Sequence, residues 1–338
     1  MTLRWAILCS GQGGQQAAML DLLHGDALAW RVWQQALVGL GGDADAVTLP
    51  PALAPVARST VEIARTGSDP TLAFWQARLS DPDWCYANRH AQALIVAYQL
   101  AIWQALAPRL PQPTLVAGYS VGEIGAQLWA GSIAPERIMP LTMQRSELMD
   151  RAAHGVAQGL LALSGVWQRS PDWQALLDAH QAALAIDNGN MSCVLGAPAS
   201  QLDTLAEQLR QRGAQVQSLK VRVASHTPLM QAAYAPWLAY LNTLDWNKPK
   251  STLLAGCDGS RLTRAAAIAP ALARQMVAPV RWAACMDSLA EAGIERVLET
   301  GPGSALARML QARCPDLATR SLADFRSLDA AVAWLERQ

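Results

Sequence analysis

The stretch Gly118-Tyr119-Ser120-Val121-Gly122-Glu123 decides how this chain is read. Before it runs Thr114-Leu115-Val116-Ala117, which has the length and apolarity of a buried strand. After it, Ile124 to Trp129 reads as the start of a helix. A strand, a tight Gly-x-Ser-x-Gly turn and a helix make a nucleophile elbow. Such a turn forces the serine backbone into a strained conformation and lifts its hydroxyl clear of the sheet. Glycine is required two residues to either side, where a β-carbon would strike the crossing strand and helix. The helix N-terminus behind Ser120 offers unpaired N–H groups to a developing oxyanion. Taken alone, the motif also fits an ordinary strand-to-helix turn; its flanks give it weight.

The 338 residues suffice for one large domain with a smaller one inserted or appended. With 51% apolar and 16% charged residues the chain is globular. A formal net charge of +0 argues against a nucleic-acid binder working through a basic surface. No apolar run reaches membrane-spanning length, and the apolar core of Met1–Cys9 is too short for a signal peptide, so it reads as a first strand. None of the six cysteines stands in a Cys-x-x-Cys pair or at zinc-ligand spacing with a histidine. Free buried thiols in a reducing cytoplasm account for them. The thirteen tryptophans are read as packing.

Along the chain, the strand Ala6–Cys9 enters the loop Ser10-Gly11-Gln12-Gly13-Gly14-Gln15. The loop lacks both the Gly-x-Gly-x-x-Gly spacing and the Gly-Lys-Ser/Thr of a P-loop, so no nucleotide reading stands. Its other use is close approach of backbone to a reacting centre. Helical periodicity continues to Leu37, and residues 41–70 read as loop with short helical pieces. Ala91–Leu106 is a central helix, apolar nearly all round, and Pro135–Ala153 another. From Gly159 the order becomes β-α-β-β-α-β: Leu160–Ser164, Trp173–His180, Ala183–Ile186, Cys193–Leu195, Ser200–Arg210 and Val216–Val221. That is the order of a ferredoxin-like module of about 60–70 residues. Beyond it lie helices at Pro228–Leu241, Ala265–Met276 and Trp282–Ala292, strands at Thr252–Leu254 and Arg296–Glu299, a helix from Ser304, a short strand near Thr319 and a last helix. The expected fold is α/β: a large α/β-hydrolase-like domain with a mainly parallel sheet (1–153 and 222–338, carrying the elbow) and an inserted ferredoxin-like subdomain (154–221).

A serine nucleophile needs a base. Of the five histidines, His24 lies in a polar turn and His180 at a helix end. His90 fits packing or capping as well as a pocket, and His154 suits a helix C-terminus. His226, in Val223-Ala224-Ser225-His226-Thr227-Pro228-Leu229-Met230, lies where the chain returns from the small module. Position alone leaves base and packing both open. An α/β-hydrolase would carry its histidine late, after an acid. Here several sheet elements follow His226, and the nearest acid, Asp187, belongs to the small module. A hydrolase fits poorly.

Six motifs in order make nearly the whole chain resemble the malonyl-CoA:acyl-carrier-protein transacylases and the acyltransferase domains of polyketide synthases. They are Gly11-Gln12-Gly13-Gly14-Gln15, the elbow, Gln144-Arg145-Ser146-Glu147-Leu148-Met149, Ser225-His226-Thr227-Pro228-Leu229-Met230, Ala278-Pro279-Val280-Arg281-Trp282 and Glu299-Thr300-Gly301-Pro302-Gly303. The resemblance implies Ser120 as acyl-accepting nucleophile, His226 as base and the backbone carbonyl of Gln275 as its orienting partner. It implies an oxyanion hole from the N–H groups of Gln12 and Val121. Arg145 would grip the malonyl carboxylate, a role for which lysine is no substitute. Gln92 and Asn188 match pocket positions. No metal and no bound cofactor are implied; malonyl-CoA is the substrate, and the phosphopantetheine-type thiol of an acyl carrier protein accepts the acyl group.

The family commonly has histidine where Tyr119 stands and proline where Ser10 stands. The tyrosine form resembles the epsilon subunit of malonate decarboxylase, so the leading expectation is malonyl transfer to that complex's carrier, with its other subunits as partners. A transacylase of fatty-acid or polyketide synthesis is the alternative. A serine esterase or thioesterase, and a non-catalytic carrier-docking subunit, are alternatives of other classes. Val223-Ala224-Ser225-His226 is similar to polyketide domains that take branched malonyl units. Arg210, Arg212, Lys220 and Arg222 would suit either an acidic carrier or plain solvation.

Overall fold

The computed structural model describes residues 3–38, 40, 69–165, 172–189 and 192–337. Most of the 41–70 stretch read as loop therefore lies outside the described residues.

Among the described residues ten strands form two sheets. The first contains β1 (Trp5–Cys9) and β2 (Leu115–Gly118). The second is built from β3 (Gln158–Ser164), β4 (Ala183–Asp187), β5 (Ser192–Pro198) and β6 (Gln215–Ser218). The chain then returns to the first sheet with β7 (Thr252–Leu254), β8 (Arg261–Leu262), β9 (Arg296–Glu299) and β10 (Ala318–Ser321). The six-stranded sheet runs β10-β9-β1-β2-β7-β8 and is parallel except at β8. The four-stranded sheet runs β4-β5-β3-β6 and is antiparallel throughout. Its two helices, Trp173–Ala179 and Ala199–Gln211, fall between strands in the order expected from sequence.

A parallel strand covered on both faces must be apolar throughout. All five residues of β1 are fully buried. The helix Asn88–Leu106 packs beside it with only Arg89 exposed. Each fully buried Leu or Ile on such surfaces contributes about 1.5–3 kcal/mol. Two of its polar side chains are fully buried and stand seven apart, hence on one face: Gln92 and Gln99. Gln99 Nε2 donates to Ser10 O at 2.8 Å, so the central helix holds the loop that leaves β1.

Register brings the loops together. Cys9 pairs with Gly118 and Leu8 with Glu299, so the loops after β1, β2 and β9 emerge side by side at the C-terminal edge of the sheet. In open α/β sheets this edge is where ligands bind. The two sheets meet there as well: Asp187 N donates to Val280 O and Val280 N to Ala185 O, at 2.8 and 2.9 Å.

Three expectations needed adjustment. The last strand of the small sheet ends at Ser218 rather than Val221, because the chain already leaves toward Ser225. The antiparallel edge strand β8 was not expected; two residues, one of them arginine, carry no apolar signal. Helices at Pro70–Ser80 and Pro82–Cys85 were also unexpected, although each begins with an aspartate cap before proline, Asp69 and Asp81. Among the described residues no helix is long and apolar enough to cross a membrane.

Candidate active site

The elbow is strained where its geometry requires it. Ser120 sits at φ 56°, the left-handed region that a residue with a β-carbon enters at about 1–3 kcal/mol. A β-carbon on Gly118 would fall on the Gly122–Glu123 backbone, and one on Gly122 on the carbonyl of Cys9. The helix Gly122–Ala130, buried along its whole length, starts behind the serine. Gly11 closes the other side: a β-carbon there would crowd the Tyr119 carbonyl and lie 3.5 Å from Ser120 Cβ. The glycine loop is thus pressed against the serine. The N–H groups of Gln12 and Val121 form no backbone hydrogen bond among the described residues. The Gln12 side-chain Oε1 is buried without a hydrogen-bond partner there.

The structure brings His226 to Ser120. His226 Nε2 lies 2.7 Å from Ser120 Oγ, and Nδ1 lies 2.6 Å from the main-chain oxygen of Gln275. A carbonyl can only accept, so Nδ1 carries the hydrogen and Nε2 presents its lone pair to the serine hydroxyl. His226 is itself at φ 64° and donates its backbone N–H to Met276 O at 3.0 Å. Burial, and then the positive charge of Arg145, hold the imidazole down to about 3, so it is neutral at neutral pH. Asp187 plays no part in holding it; its carboxylate pairs with Arg281.

Arg145 comes from the helix Ile138–Ala153 and is 3% exposed. Its Nη1 donates to Gln92 Oε1 at 2.6 Å and its Nη2 to Gln275 Oε1 at 3.3 Å. No carboxylate pairs with it among the described residues. Desolvation lowers it to about 10, offset in part by the charge of Glu123, and it stays protonated at neutral pH. Gln275 ties the pieces together, since its Nε2 also donates to Ser120 O at 3.0 Å.

The remaining residues singled out from sequence divide. Gln92 stands at Arg145, held from behind by a bond to Asn88 Oδ1 at 2.7 Å. Asn188 is one step removed: it accepts from the Tyr119 hydroxyl at 3.2 Å and makes no bond to Arg145. His24 pairs with Asp69, His90 stacks on Trp84 and His180 meets Gln201, all away from Ser120. Of the basic run, Arg222 pairs with Asp83, Arg212 with Asp172 and Arg210 with Glu207. Ser10, the proline departure, donates to buried Glu299 at 2.6 Å, which also accepts from Leu306 and Ala307 N–H.

Two residues escaped the sequence reading. Gln99 positions the glycine loop, and its only sequence signal is the seven-residue spacing from Gln92. Glu123 ends the elbow motif and is 3% exposed, with both oxygens hydrogen-bonded. Burial pushes its carboxyl up to about 8, against the opposing pull of the Gly256 N–H and Arg145.

A strained serine, a neutral histidine bonded to it and a buried guanidinium joined to both through Gln275 are the kind of site an acyltransferase on an α/β fold requires. The chain belongs to the acyl transferase domain family, whose profile matches residues 54–323, and within it to the malonyl-CoA:acyl-carrier-protein transacylases. It is 31% identical over 244 residues to the malonyl CoA-acyl carrier protein transacylase of Mycobacterium bovis, covering 71% of this chain and 79% of that one. The Haemophilus influenzae protein of the same name is 27% identical over 255 residues, 72% of this chain and 80% of that one. Among solved structures, the acyl-carrier-protein S-malonyltransferase of Burkholderia pseudomallei superposes with a TM-score of 0.79 at 24% identity, over 98% of this chain and 100% of that one. A malonyl-transacylase solved with a type II polyketide acyl carrier protein gives 0.80 at 22%, over 98% of each. At those identities the structures speak for the fold.

Proposed function

We propose that this chain moves a malonyl group from malonyl-CoA, through an ester on Ser120, to the phosphopantetheine-type thiol of an acyl carrier protein. The observation that carries the reading is Arg145: a protonated guanidinium, buried beside the nucleophile, with two neutral amide oxygens as partners. A buried charge with no carboxylate in direct contact costs several kcal/mol. A substrate with a free carboxylate supplies the missing partner in bidentate geometry.

In the first half-reaction His226 Nε2 takes the Ser120 proton as Oγ bonds to the thioester carbonyl carbon. The oxyanion faces the N–H groups of Gln12 and Val121. The C–S bond then breaks, and coenzyme A leaves as the thiol with the proton from the imidazolium. In the second, the carrier thiol gives its proton to His226 and attacks the ester carbonyl. The C–O bond breaks and Ser120 Oγ regains its proton. A carbonyl rather than a carboxylate behind the histidine distinguishes this dyad from a hydrolase triad.

The relatives named above are transacylases, which favours a carrier of fatty-acid or polyketide synthesis over the malonate decarboxylase carrier of the leading expectation. Tyr119, in place of the usual histidine, is the one feature favouring the decarboxylase complex. The proposal includes a cytoplasmic setting, consistent with six free cysteines, and a division into 1–153 with 222–338 against 154–221.

Incubation with malonyl-CoA is expected to add one malonyl mass to the protein, lost in Ser120→Ala and discharged by a holo carrier protein. An unchanged mass with intact substrate overturns the reading.

A further inference from the structure

Glu123 takes no part in the proton and acyl transfers above, yet it lies at their centre. It occupies the first turn of the elbow helix. Its Oε1 accepts from Gly256 N–H at 2.5 Å, which fastens that helix to the loop after β7. Its Oε2 accepts from Gln275 Nε2. The second bond has the wider consequence, because Gln275 touches Ser120, His226 and Arg145 alike. Its main-chain oxygen holds His226, its Nε2 holds Ser120 O, and its Oε1 holds Arg145.

The orientation of the Gln275 amide follows from its neighbours. Arginine only donates, so the amide oxygen faces Arg145; a carbonyl only accepts, so the amide nitrogen faces Ser120 O. That nitrogen has two hydrogens. Ser120 takes one, and Glu123 takes the other.

We propose that Glu123 is a positioning residue: by accepting the second hydrogen of the Gln275 amide it fixes the oxygen that steadies the Arg145 fork, and so sets the preference for acyl groups bearing a carboxylate. The proposal rests on the reading of Ser120 as acyl acceptor and Arg145 as carboxylate receptor. An amide in place of the carboxyl keeps the shape but not the pattern: each carboxyl oxygen, ionised or protonated, keeps a lone pair to accept with, and an NH2 group has none. Its NH2 must face either Gly256 N–H or Gln275 Nε2, donor against donor. Should Gln275 turn over to relieve the clash, its own NH2 faces the guanidinium, again donor against donor. Either way Arg145 loses a support. An acetyl group has no carboxylate and makes no use of the fork, so its loading reports damage of a general kind.

The test is single-turnover loading of the purified full chain from malonyl-CoA and from acetyl-CoA, read by intact mass. Glu123→Gln is expected to lower the malonyl-to-acetyl rate ratio by about 10- to 100-fold. Gln275→Ala, which keeps the main-chain carbonyl, is expected to lower it similarly. The double variant is expected to fall no further than either single one. Glu123→Asp, a methylene shorter, is expected between wild type and Glu123→Gln, and replaces it should a thermal melt show that the glutamine variant does not fold. Where acetyl loading is too slow to time, the half-saturating malonyl-CoA concentration carries the same comparison.

An unchanged ratio in Gln275→Ala, or in whichever position-123 variant folds, overturns the proposal, as do multiplied losses in the double variant. If the wild-type chain loads neither acyl group, the underlying reading falls with it. If the ratio is lost in Arg145→Ala but kept in the position-123 variants, this proposal falls alone.

Discussion

Arg313 and Arg145 carry the same guanidinium into opposite surroundings. On the surface, Arg313 sets Nε and Nη2 each 2.7 Å from the two carboxylate oxygens of Asp287, two parallel bonds that use the whole edge of the fork. In the interior, Arg145 has an amide oxygen on either side and no protein carboxylate among the described residues. The exposed pair contributes about 0–1 kcal/mol, since water would solvate both partners nearly as well. The buried cation has no such alternative. The surface pair displays the geometry that a carboxylate and this fork adopt together; in the proposed function the interior keeps the same fork for a carboxylate that arrives with the substrate. Stability and the proposed function make opposite demands on one side chain, and burial without a directly paired carboxylate is what sets Arg145 apart.

The sharpest way to break that contrast is to remove chemistry while leaving the fork. His226→Ala is expected to lower the malonyl loading rate by about 100- to 10,000-fold, the range for loss of a general base. Stopped-flow or quenched mass measurements check it, and a loss of only a few-fold would remove His226 from the mechanism.

A smaller effect follows from the same residue's burial. Its folded-state value is about 3 against 6.5 in the unfolded chain, so between those pH values the unfolded chain binds the extra proton. The stability this confers is complete above about pH 6.5 and is lost as pH falls toward 3. Thermal melts are therefore expected to show wild type losing stability more steeply than His226→Ala between pH 6.5 and 4. Parallel slopes would mean that the imidazole is not held neutral.

At the small end, Arg313→Ala is expected to change stability by about 1 kcal/mol or less and to leave loading untouched. A loss comparable to that of an active-site variant would erase the distinction between the two arginines.

Much of this was legible in the sequence, and the reason differs by element. The elbow is local: six residues and their flanks state a strand, a turn and a helix, and each glycine answers to a definite collision. The pairing of Ser120 with His226 is not local. Position alone leaves the histidine open, and only the ordered motifs single it out. That the imidazole leans on the carbonyl of Gln275 depends on how two helices and a loop cross, which no spacing encodes. Asn188, matched to the pocket, accepts from Tyr119 at the junction of the sheets. Glu123 looked like the tail of a motif because a glutamate in a first helical turn is ordinary dipole chemistry; its burial, and its hold on Gln275, exist only in three dimensions. The short edge strand β8 and the helix Pro70–Ser80 went unread for a plainer reason. They bury too few side chains to print a period on the sequence, only Trp75 and Leu79 in the helix.

The proposed transfer depends on the carboxylate reaching Arg145, and the most direct measurement is a competition: wild type and Arg145→Ala, each offered malonyl-CoA and acetyl-CoA together, with the two acyl-enzymes counted by mass. Wild type is expected to carry malonyl almost alone. In Arg145→Ala malonyl loading is expected to fall by about 100-fold or more, as for a buried charge pair broken on one side, with acetyl loading kept or improved. Equal loss of both, or malonyl preference surviving without the guanidinium, would contradict it.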